Sequence, residues 1–198
     1  MKLSFTKMHG CGNSYIYFNC FEQPVPDPGP LSVRLSEPHF GIGGDGIILI
    51  SPSDKADAQM RIFNADGSEG KMCGNGIRCV GKYLYDNGMV GDRTTITIDT
   101  LSGVKTLVLT AENGKMLSAR VDMGPAILTP HDIPVLLAGD TVIGAPLVID
   151  ERVYHITCVS MGNPHCVIFL NEDIETLDLE RLGPKFEHNT LFPERVNT

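Results

Sequence analysis

The chain has 198 residues, of which 42% are hydrophobic and 20% charged, a composition typical of a folded globular protein rather than a disordered one. Sixteen lysines and arginines oppose twenty-four aspartates and glutamates, giving a formal charge of -8. The basic residues are not gathered into a block, so the sequence argues against nucleic acid or an anionic membrane as a partner.

The N-terminal residues and the cysteines favour a cytoplasmic location. Residues 1–7 lack the apolar run of a secretory signal, and no later stretch approaches eighteen apolar residues. Six cysteines are too few for a disulfide scaffold in a chain of this length, so we expect free thiols in a reducing compartment. At least one of them is then available for chemistry.

Strand patterns dominate the first 64 residues. Short β-branched or aromatic runs bounded by Gly, Pro or Asp predict four strands, at Leu3–Met8, Ser14–Asn19, Gly46–Ile50 and Ala58–Asn64. The Pro-rich interval 24–30 is predicted to be a loop, and Leu31–Leu35 a short helix that ends near Pro38.

The pattern then changes to helical spacing. Ile77, Val80 and Leu84 recur at helical intervals and predict a helix over Asn75–Asn87, with Asn87–Gly88 as its C-terminal stop. This segment carries little charge, so we expect much of its circumference to be buried against a sheet.

Three strands are predicted next, joined by short turns. Thr94–Thr100, Lys105–Thr110 and Lys115–Met123 are separated by Ser102–Gly103 and Asn113–Gly114, both typical of two-residue hairpin turns. The sequence therefore predicts an antiparallel meander.

A second series of predicted elements begins after residues 124–125. We therefore predict a first domain over residues 1–120 and a second over 121–198. The second domain is predicted to contain strands at Leu147–Ile149, Val153–Ser160 and Cys166–Leu170, followed by a short helix at Leu179–Phe186.

Cys73 stands immediately before the predicted helix, where free backbone N–H groups and the positive end of the helix dipole favour a thiolate. Gly74 and Gly76 flank Asn75 and let a ligand carboxylate approach the backbone. An arbitrary cysteine is more often a buried apolar residue, so the surrounding sequence must decide. Cys79 keeps that simpler interpretation because it lies inside the helix.

Three other segments place polar groups beside glycines. Asn13 follows Gly10–Gly12, which is typical of a structural turn as well as of a ligand-binding amide. The glycines of Gly41–Gly46 precede a strand instead of linking a strand to a helix, so we reject a phosphate loop. Gly162–His165 fits a structural histidine and a functional one about equally. No Cys or His pair has the spacing of a zinc site.

Six segments together match the order and spacing of one family. By them the chain resembles the diaminopimelate epimerases over essentially its whole length; they are Lys7–Tyr15, Gly41–Gly46, Asn64–Glu69, Met72–Cys79, Gly162–Val167 and Phe192–Asn197. The resemblance implies an α/β (α+β) fold of two similar domains, each a curved mixed or antiparallel sheet around a central helix, with the substrate between them.

The resemblance also implies roles for individual residues. Cys73 matches the first catalytic thiol, and His165 a residue that assists catalysis. Gly74 and Asn75 match backbone groups that bind a carboxylate. The side chains that match substrate contacts are Asn13, Asn64, Asn163 and Asn197, and Gly46 stands where some members place a substrate-contacting Gln. The family usually has Asn-Asp-Phe where this chain has Asn13-Ser14-Tyr15.

The activity implied by the resemblance is the epimerisation of LL-diaminopimelate to meso-diaminopimelate, a step toward lysine and cell-wall precursors. Two cysteines would act as acid and base without pyridoxal phosphate or any other cofactor, and the protein would form a homodimer. Family members continue past the position of Thr198 with a Glu-Arg pair and a second Cys-Gly-Thr helix start. We therefore expect the second domain to be incomplete here and these 198 residues alone to be inactive.

Two alternatives stay open at this point. A related cofactor-independent racemase, acting on histidine or another amino acid, would use the same Cys-Gly-Asn-Gly turn for the shared amino-acid end. A non-catalytic amino-acid-binding protein would differ in having an unactivated thiol at Cys73.

Overall fold

The computed structural model describes residues 2–198. The chain divides into two compact units, the first ending at Met123 and the second comprising Gly124–Thr198. In the described residues, no helix is long and apolar enough to cross a lipid bilayer.

The first unit is built on one eight-stranded mixed sheet. Its order is β1-β2-β3-β4-β6-β7-β8, and β5 pairs with β4 beside this path. β2 runs parallel to β3, β4 runs parallel to β6, and the other neighbours are antiparallel. The strands are β1 (Thr6–Gly10), β2 (Asn13–Asn19), β3 (Gly46–Ser51), β4 (Ala58–Asn64), β5 (Glu69–Gly70), β6 (Thr95–Thr100), β7 (Gly103–Glu112) and β8 (Lys115–Val121).

The sheet is buried on both faces where β2 and β3 lie together. One face contributes Tyr15, Tyr17 and Ile48 to the main core, and the alternate residues Ile16 and Ile47 pack into a second core. Because successive side chains of a strand point to opposite faces, covering both faces produces a continuous apolar run. These apolar runs are the signal from which β2 and β3 were predicted.

The helix α1 (Pro28–Ser36) covers the second core and is held to the sheet by a buried hydroxyl. Ser32 Oγ lies 2.9 Å from the Phe63 carbonyl oxygen and 2.8 Å from that of Asn64. The helix predicted over Leu31–Leu35 is confirmed, but the loop predicted over residues 24–30 is wrong for its last three residues. The helix begins at Pro28 because proline suits the first helical turn.

The helix α2 (Gly74–Asp86) packs on the opposite face, and its predicted burial is confirmed. Ile77, Val80 and Leu84 are fully or almost fully buried. Two glycines allow a close approach to the sheet: a Cβ at Gly76 would lie 2.7 Å from Ile48 Cδ1, and one at Gly81 would lie 2.8 Å from Leu107 Cδ2. The sheet therefore fixes the position of the helix.

The predicted meander is confirmed, with one correction to its turns. Asn113 and Gly114 both have positive φ, as a type I′ hairpin turn requires. The other loop is Leu101–Ser102 rather than Ser102–Gly103, because Thr100 pairs directly with Gly103.

The first hairpin also differs from its prediction. β1 continues to Gly10 instead of ending at Met8, since Gly10 pairs with Asn13 across a two-residue turn. Cys11 and Gly12 form that turn with φ of 51° and 91°. The turn places Asn13 as the first residue of β2, facing the start of α2.

The second unit contains a three-stranded antiparallel sheet in the order β11-β10-β9. Two adjoining cores lie on the same face of this sheet: one includes Ile156, Cys158 and Cys166, and the other joins Tyr154 to Phe186 of the last helix. The opposite face is exposed at Val148 and Val153. β11 begins at Pro164 rather than Cys166, because Pro164 already pairs with Ser160. The elements are β9 (Ala145–Ile149), β10 (Arg152–Ser160), β11 (Pro164–Ile168) and α3 (Leu179–Glu187).

We predict that Gly46→Ala strongly destabilises the first unit, because Gly46 has a φ of 150° and a Cβ there would lie 2.1 Å from the Phe63 carbonyl oxygen. A loss of at least about 3 kcal/mol in the free energy of unfolding is expected from backbone strain plus the clash. Urea titration measures it.

Gly88→Ala is the matched control, since Gly88 also has positive φ but a Cβ there meets nothing within 4 Å. This variant should lose only about 1–2 kcal/mol, the strain of the left-handed backbone alone. Equal losses in the two variants would contradict the assigned clash.

Candidate functional site

Cys73 is the N-cap of α2, as its position in the sequence predicted. Its extended backbone, with φ of -139° and ψ of 110°, directs the thiol back over the first turn of the helix. Sγ accepts a hydrogen bond from the Gly76 backbone N–H at 3.3 Å. The side chain is half-buried, so it combines a donor-rich setting with access from outside. Such an arrangement stabilises a negative charge on sulfur.

Tyr15 lies next to this thiol on β2 and is almost fully buried. Burial raises the pKa of Tyr15, and the neighbouring Cys73 and a hydrogen bond between the two side chains raise it further. The phenol therefore stays protonated at neutral pH and can donate to sulfur. This hydroxyl is a consequence of the departure from the family's usual Asn-Asp-Phe.

Ser14 is the other departure, and Asp45 supplies a carboxylate beside it. The Ser14 N–H donates to Asp45 Oδ2 at 2.7 Å, and the Asp45 N–H donates to the Ser14 carbonyl at 2.7 Å. Asp45 belongs to the Gly41–Gly46 segment, which leads directly into β3 as predicted. The glycines of that segment therefore shape a polar turn.

The first turn of α2 and the start of β2 are joined by side-chain hydrogen bonds. Asn75 Nδ2 donates to Asn13 Oδ1 at 2.5 Å, and Asn13 Nδ2 lies 3.5 Å from Asp45 Oδ2. Arg78 donates to Asn75 Oδ1 at 2.6 Å and to the Gly74 carbonyl at 3.1 Å. The structure thus brings three of the predicted residues, Asn13, Gly74 and Asn75, to the same place as Cys73.

Asn64 and Gly46 are neighbours at the adjoining strand ends. They are directly paired between β3 and β4, and the half-buried Asn64 side chain donates from Nδ2 to Ser68 Oγ at 3.0 Å. Gly46 is buried and its backbone leaves no room for a side chain. Any contribution of Gly46 to binding therefore comes from its backbone.

The second unit holds the remaining predicted residues close together. His165 Nε2 lies 3.1 Å from Asn163 Oδ1, and His165 forms an isolated parallel bridge with Asn197. Asn197 Nδ2 donates to the Pro164 carbonyl at 2.9 Å. A cavity of about 610 Å³ in this unit is lined by His165 and Asn197 together with apolar side chains of α3.

The other cysteines lie in different surroundings. Cys79 is buried in the main core, in agreement with its simpler interpretation. Cys158 and Cys166 face each other across β10 and β11 and are buried, and the hydrogen bond between them together with burial raises the pKa of Cys166. Cys11 is exposed, and Arg78 donates to its Sγ at 3.3 Å. Among the six thiols, all within the described chain, Cys73 alone caps a helix.

Three groups of this site were not predicted from the sequence: Tyr15, Asp45 and Arg78. Arg78 could have been found, because residues three and four apart on a helix are neighbours and Arg78 stands three after Asn75 and four after Gly74. Asp45 gave no such signal, since its proximity to Asn13 depends on the parallel pairing of β2 with β3.

The fold is shared with enzymes that invert carbon centres. A probable proline racemase from Agrobacterium radiobacter superposes with a TM-score of 0.65 over 94% of this chain and 55% of that chain, at 16% identity. A hydroxyproline epimerase from Agrobacterium vitis gives a TM-score of 0.59 over 93% of this chain and 54% of that chain, at 17% identity. These likenesses define the fold class, and the predicted α/β architecture is confirmed.

Sequence comparison is more specific. The family model described as diaminopimelate epimerase matches residues 5–129. The diaminopimelate epimerase of Agathobacter rectalis is 53% identical over 99% of this chain and 70% of that protein, and that of Acetivibrio thermocellus is 50% identical over 98% and 69%. The chain belongs to the diaminopimelate epimerase family, and the predicted family membership is confirmed.

We predict that Cys73 is alkylated faster than the four cysteines that are more buried or lack a helix N-terminus, because its sulfur lies among backbone N–H donors. The experiment uses limiting iodoacetamide near neutral pH, followed by peptide mapping. The four are Cys20, Cys79, Cys158 and Cys166.

Exposed Cys11 is removed beforehand as Cys11→Ser, since exposure and its contact with Arg78 would let it compete. Urea-unfolded chain is the control, in which the cysteines should react at similar rates. Faster labelling of Cys79 or Cys166 in the folded chain would exclude an activated Cys73.

Proposed function

We propose that the native enzyme to which this chain contributes Cys73 epimerises LL-diaminopimelate to meso-diaminopimelate without pyridoxal phosphate, with Cys73 as one of two acid/base groups. The observation that carries the proposal is the position of Cys73 Sγ at the start of α2, 3.3 Å from the Gly76 N–H. Family membership supports the substrate, since the relatives that match nearly the whole chain are diaminopimelate epimerases.

The reaction begins with transfer of the α-proton of the substrate to the Cys73 thiolate. The electron pair of the broken C–H bond stays on the substrate and spreads into the α-carboxylate. Helix geometry leaves the Gly74 and Asn75 N–H groups without intrahelical acceptors, so they are suited to hold that carboxylate. Their N–H dipoles stabilise the growing negative charge. In this way a site without an electron-accepting cofactor lowers the barrier to removal of the α-proton.

Inversion is completed when a second acid delivers a proton to the opposite face of the carbon. A thiol is well matched to this task because the protonated and deprotonated forms of two thiols exchange roles for the reverse reaction. None of the other five cysteines caps a helix. We therefore assign the second role to a group other than these five.

Substrate recognition is proposed for polar groups of both units. Asn13 and Asn64 lie beside Cys73 and at the end of β4, and they offer amides to the carboxylate and ammonium groups of the substrate. Asn163 and Asn197 do the same in the second unit, where His165 bonds to Asn163 and assists catalysis. Gly46 contributes through its backbone.

We also propose a cytoplasmic homodimer. All six cysteines are free thiols, which suits a reducing compartment. The dimer is implied by family resemblance, and analytical ultracentrifugation of the native enzyme tests it.

We predict that Cys73→Ser and Cys73→Ala in the native enzyme lower kcat for diaminopimelate by at least about 100-fold, the contribution of a general acid/base group. Cys73→Ser should keep the melting temperature, because the serine hydroxyl still accepts the Gly76 N–H. Chiral chromatography of the product and thermal melting separate the two effects.

Cys79→Ala is the matched control for these variants. Cys79 is buried in the main core, so its truncation should lower stability by roughly 1 kcal/mol and leave kcat unchanged. Turnover retained by Cys73→Ser would defeat the assignment of Cys73, and histidine or proline turned over in place of diaminopimelate would defeat the assignment of substrate.

We further predict that a polypeptide limited to these 198 residues does not form the meso isomer. In deuterated water it should at most exchange the α-proton on the face served by Cys73, without inversion. Mass spectrometry follows deuterium uptake, and chiral chromatography follows stereochemistry. Inversion by this polypeptide, free of any longer enzyme, would contradict the mechanism.

A further inference from the structure

The side-chain amides of Asn75 and Asn13 lie between Arg78 and Asp45, and these two charged residues fix which way each amide faces. An asparagine amide can face either way without changing shape, so its partners decide its orientation. Arg78 can only donate, and it donates to Asn75 Oδ1 at 2.6 Å. The Asp45 carboxylate accepts the Ser14 N–H at 2.7 Å and lies 3.5 Å from Asn13 Nδ2. The bonds therefore run in one sense, from Arg78 through Asn75 and Asn13 to Asp45.

We propose that Arg78 and Asp45 are positioning residues that fix the orientation of the Asn75 and Asn13 amides, so that Asn13 presents an N–H donor to the substrate. This inference rests on the proposed function of the site. Asn13 Oδ1 accepts from Asn75 Nδ2 at 2.5 Å and one Asn13 amide hydrogen is directed to Asp45, which leaves the second amide hydrogen for the substrate. The matching substrate group is a carboxylate oxygen and not an ammonium group.

Both ends of this arrangement are held firmly. The Asp45 carboxylate accepts the Ser14 N–H, while its backbone is bonded to Ser14 and Ala65. Arg78 bonds to two acceptors of the first turn of α2, Asn75 Oδ1 and the Gly74 carbonyl. A planar guanidinium presents separate N–H groups to both acceptors at once, whereas the three donors of a lysine ammonium radiate from one nitrogen and do not match this fork.

The test compares Asp45→Asn and Arg78→Lys with the native enzyme, measuring KM and kcat for diaminopimelate together with the melting temperature. Asp45→Asn introduces an amide that can donate as well as accept. The Asn13 and Asn75 amides are then no longer held in one orientation. We expect KM to rise about tenfold in each variant, with kcat changing less than about threefold, because ground-state and transition-state binding are lost together.

Asp57→Asn and Arg93→Lys are the matched controls. Asp57 accepts the Thr97 N–H at 2.8 Å and pairs with Arg93 at 2.7 Å, so it joins a loop to a strand of the same unit as Asp45 does, without contact to the amides. These variants should lower the melting temperature and leave KM unchanged. An equal rise of KM in Asp57→Asn would reduce Asp45 to a general structural role and overturn the proposal.

Measurements on Asn13→Ala, alone and combined with Asp45→Asn, distinguish a failure of the positioning proposal from a failure of the proposed substrate role of Asn13. If Asn13→Ala raises KM and Asp45→Asn then adds nothing, Asp45 acts through Asn13 as proposed. If Asn13→Ala raises KM but Asp45→Asn and Arg78→Lys behave as native, the positioning roles are wrong and the substrate role of Asn13 stands. An unchanged KM in Asn13→Ala would overturn the substrate role itself, and the positioning proposal with it.

Discussion

The close approach of the first turn of α2 to the sheet is the constraint on which the site depends. A Cβ at Gly76 would lie 2.7 Å from Ile48 Cδ1, and one at Gly10 would lie 2.8 Å from the Asn75 carbonyl oxygen. The Gly10 contact is with backbone and requires glycine, whereas a side chain at Gly76 would force the end of the buried Ile48 side chain to move. Together the two contacts hold the helix start against β1 and β3. Because a packed interior leaves little free volume, the helix cannot shift without disturbing the core. Cys73 therefore occupies a position determined by packing some distance from its own side chain.

The same packing explains why the site is assembled from separate parts of the sequence. β2 and β3 are parallel neighbours, and their ends bring Asn13 and Asp45 together, while the pairing of β3 with β4 adds Gly46 and Asn64. The Ser32 hydroxyl on α1 bonds to the carbonyls of Phe63 and Asn64 and so secures the end of β4 from the other face. Each polar group is carried by the end of a rigid element, which is how a site keeps its geometry without ligand.

Local signals were sufficient for the elements and for Cys73, and insufficient for the contacts between elements. The helical spacing of Ile77, Val80 and Leu84 predicted α2, and a cysteine before that helix could be recognised as its cap. The strand β5 was missed, because two residues carry no periodicity to recognise. Asp45 was missed for a different reason: its partner Ser14 lies 31 residues away and is reached through a parallel pairing that no local pattern specifies. The resemblance to a family named Asn13 but gave no reason for the direction of its amide.

Most polar groups near Cys73 are hydrogen-bond donors, an arrangement that stabilises negative charge. The Gly76 N–H, the Tyr15 hydroxyl and the Arg78 guanidinium are all donors around the first turn of α2. The Asp45 carboxylate is exposed and does not contact that turn directly, since Asn13 lies between them. Donors fixed in advance stabilise negative charge without the reorganisation that water would require. A carboxylate in the place of Asn13 would set a negative charge directly beside Asn75 and so weaken the positive field of these donors. The two amides of Asn75 and Asn13 therefore act as neutral spacers between Arg78 and Asp45.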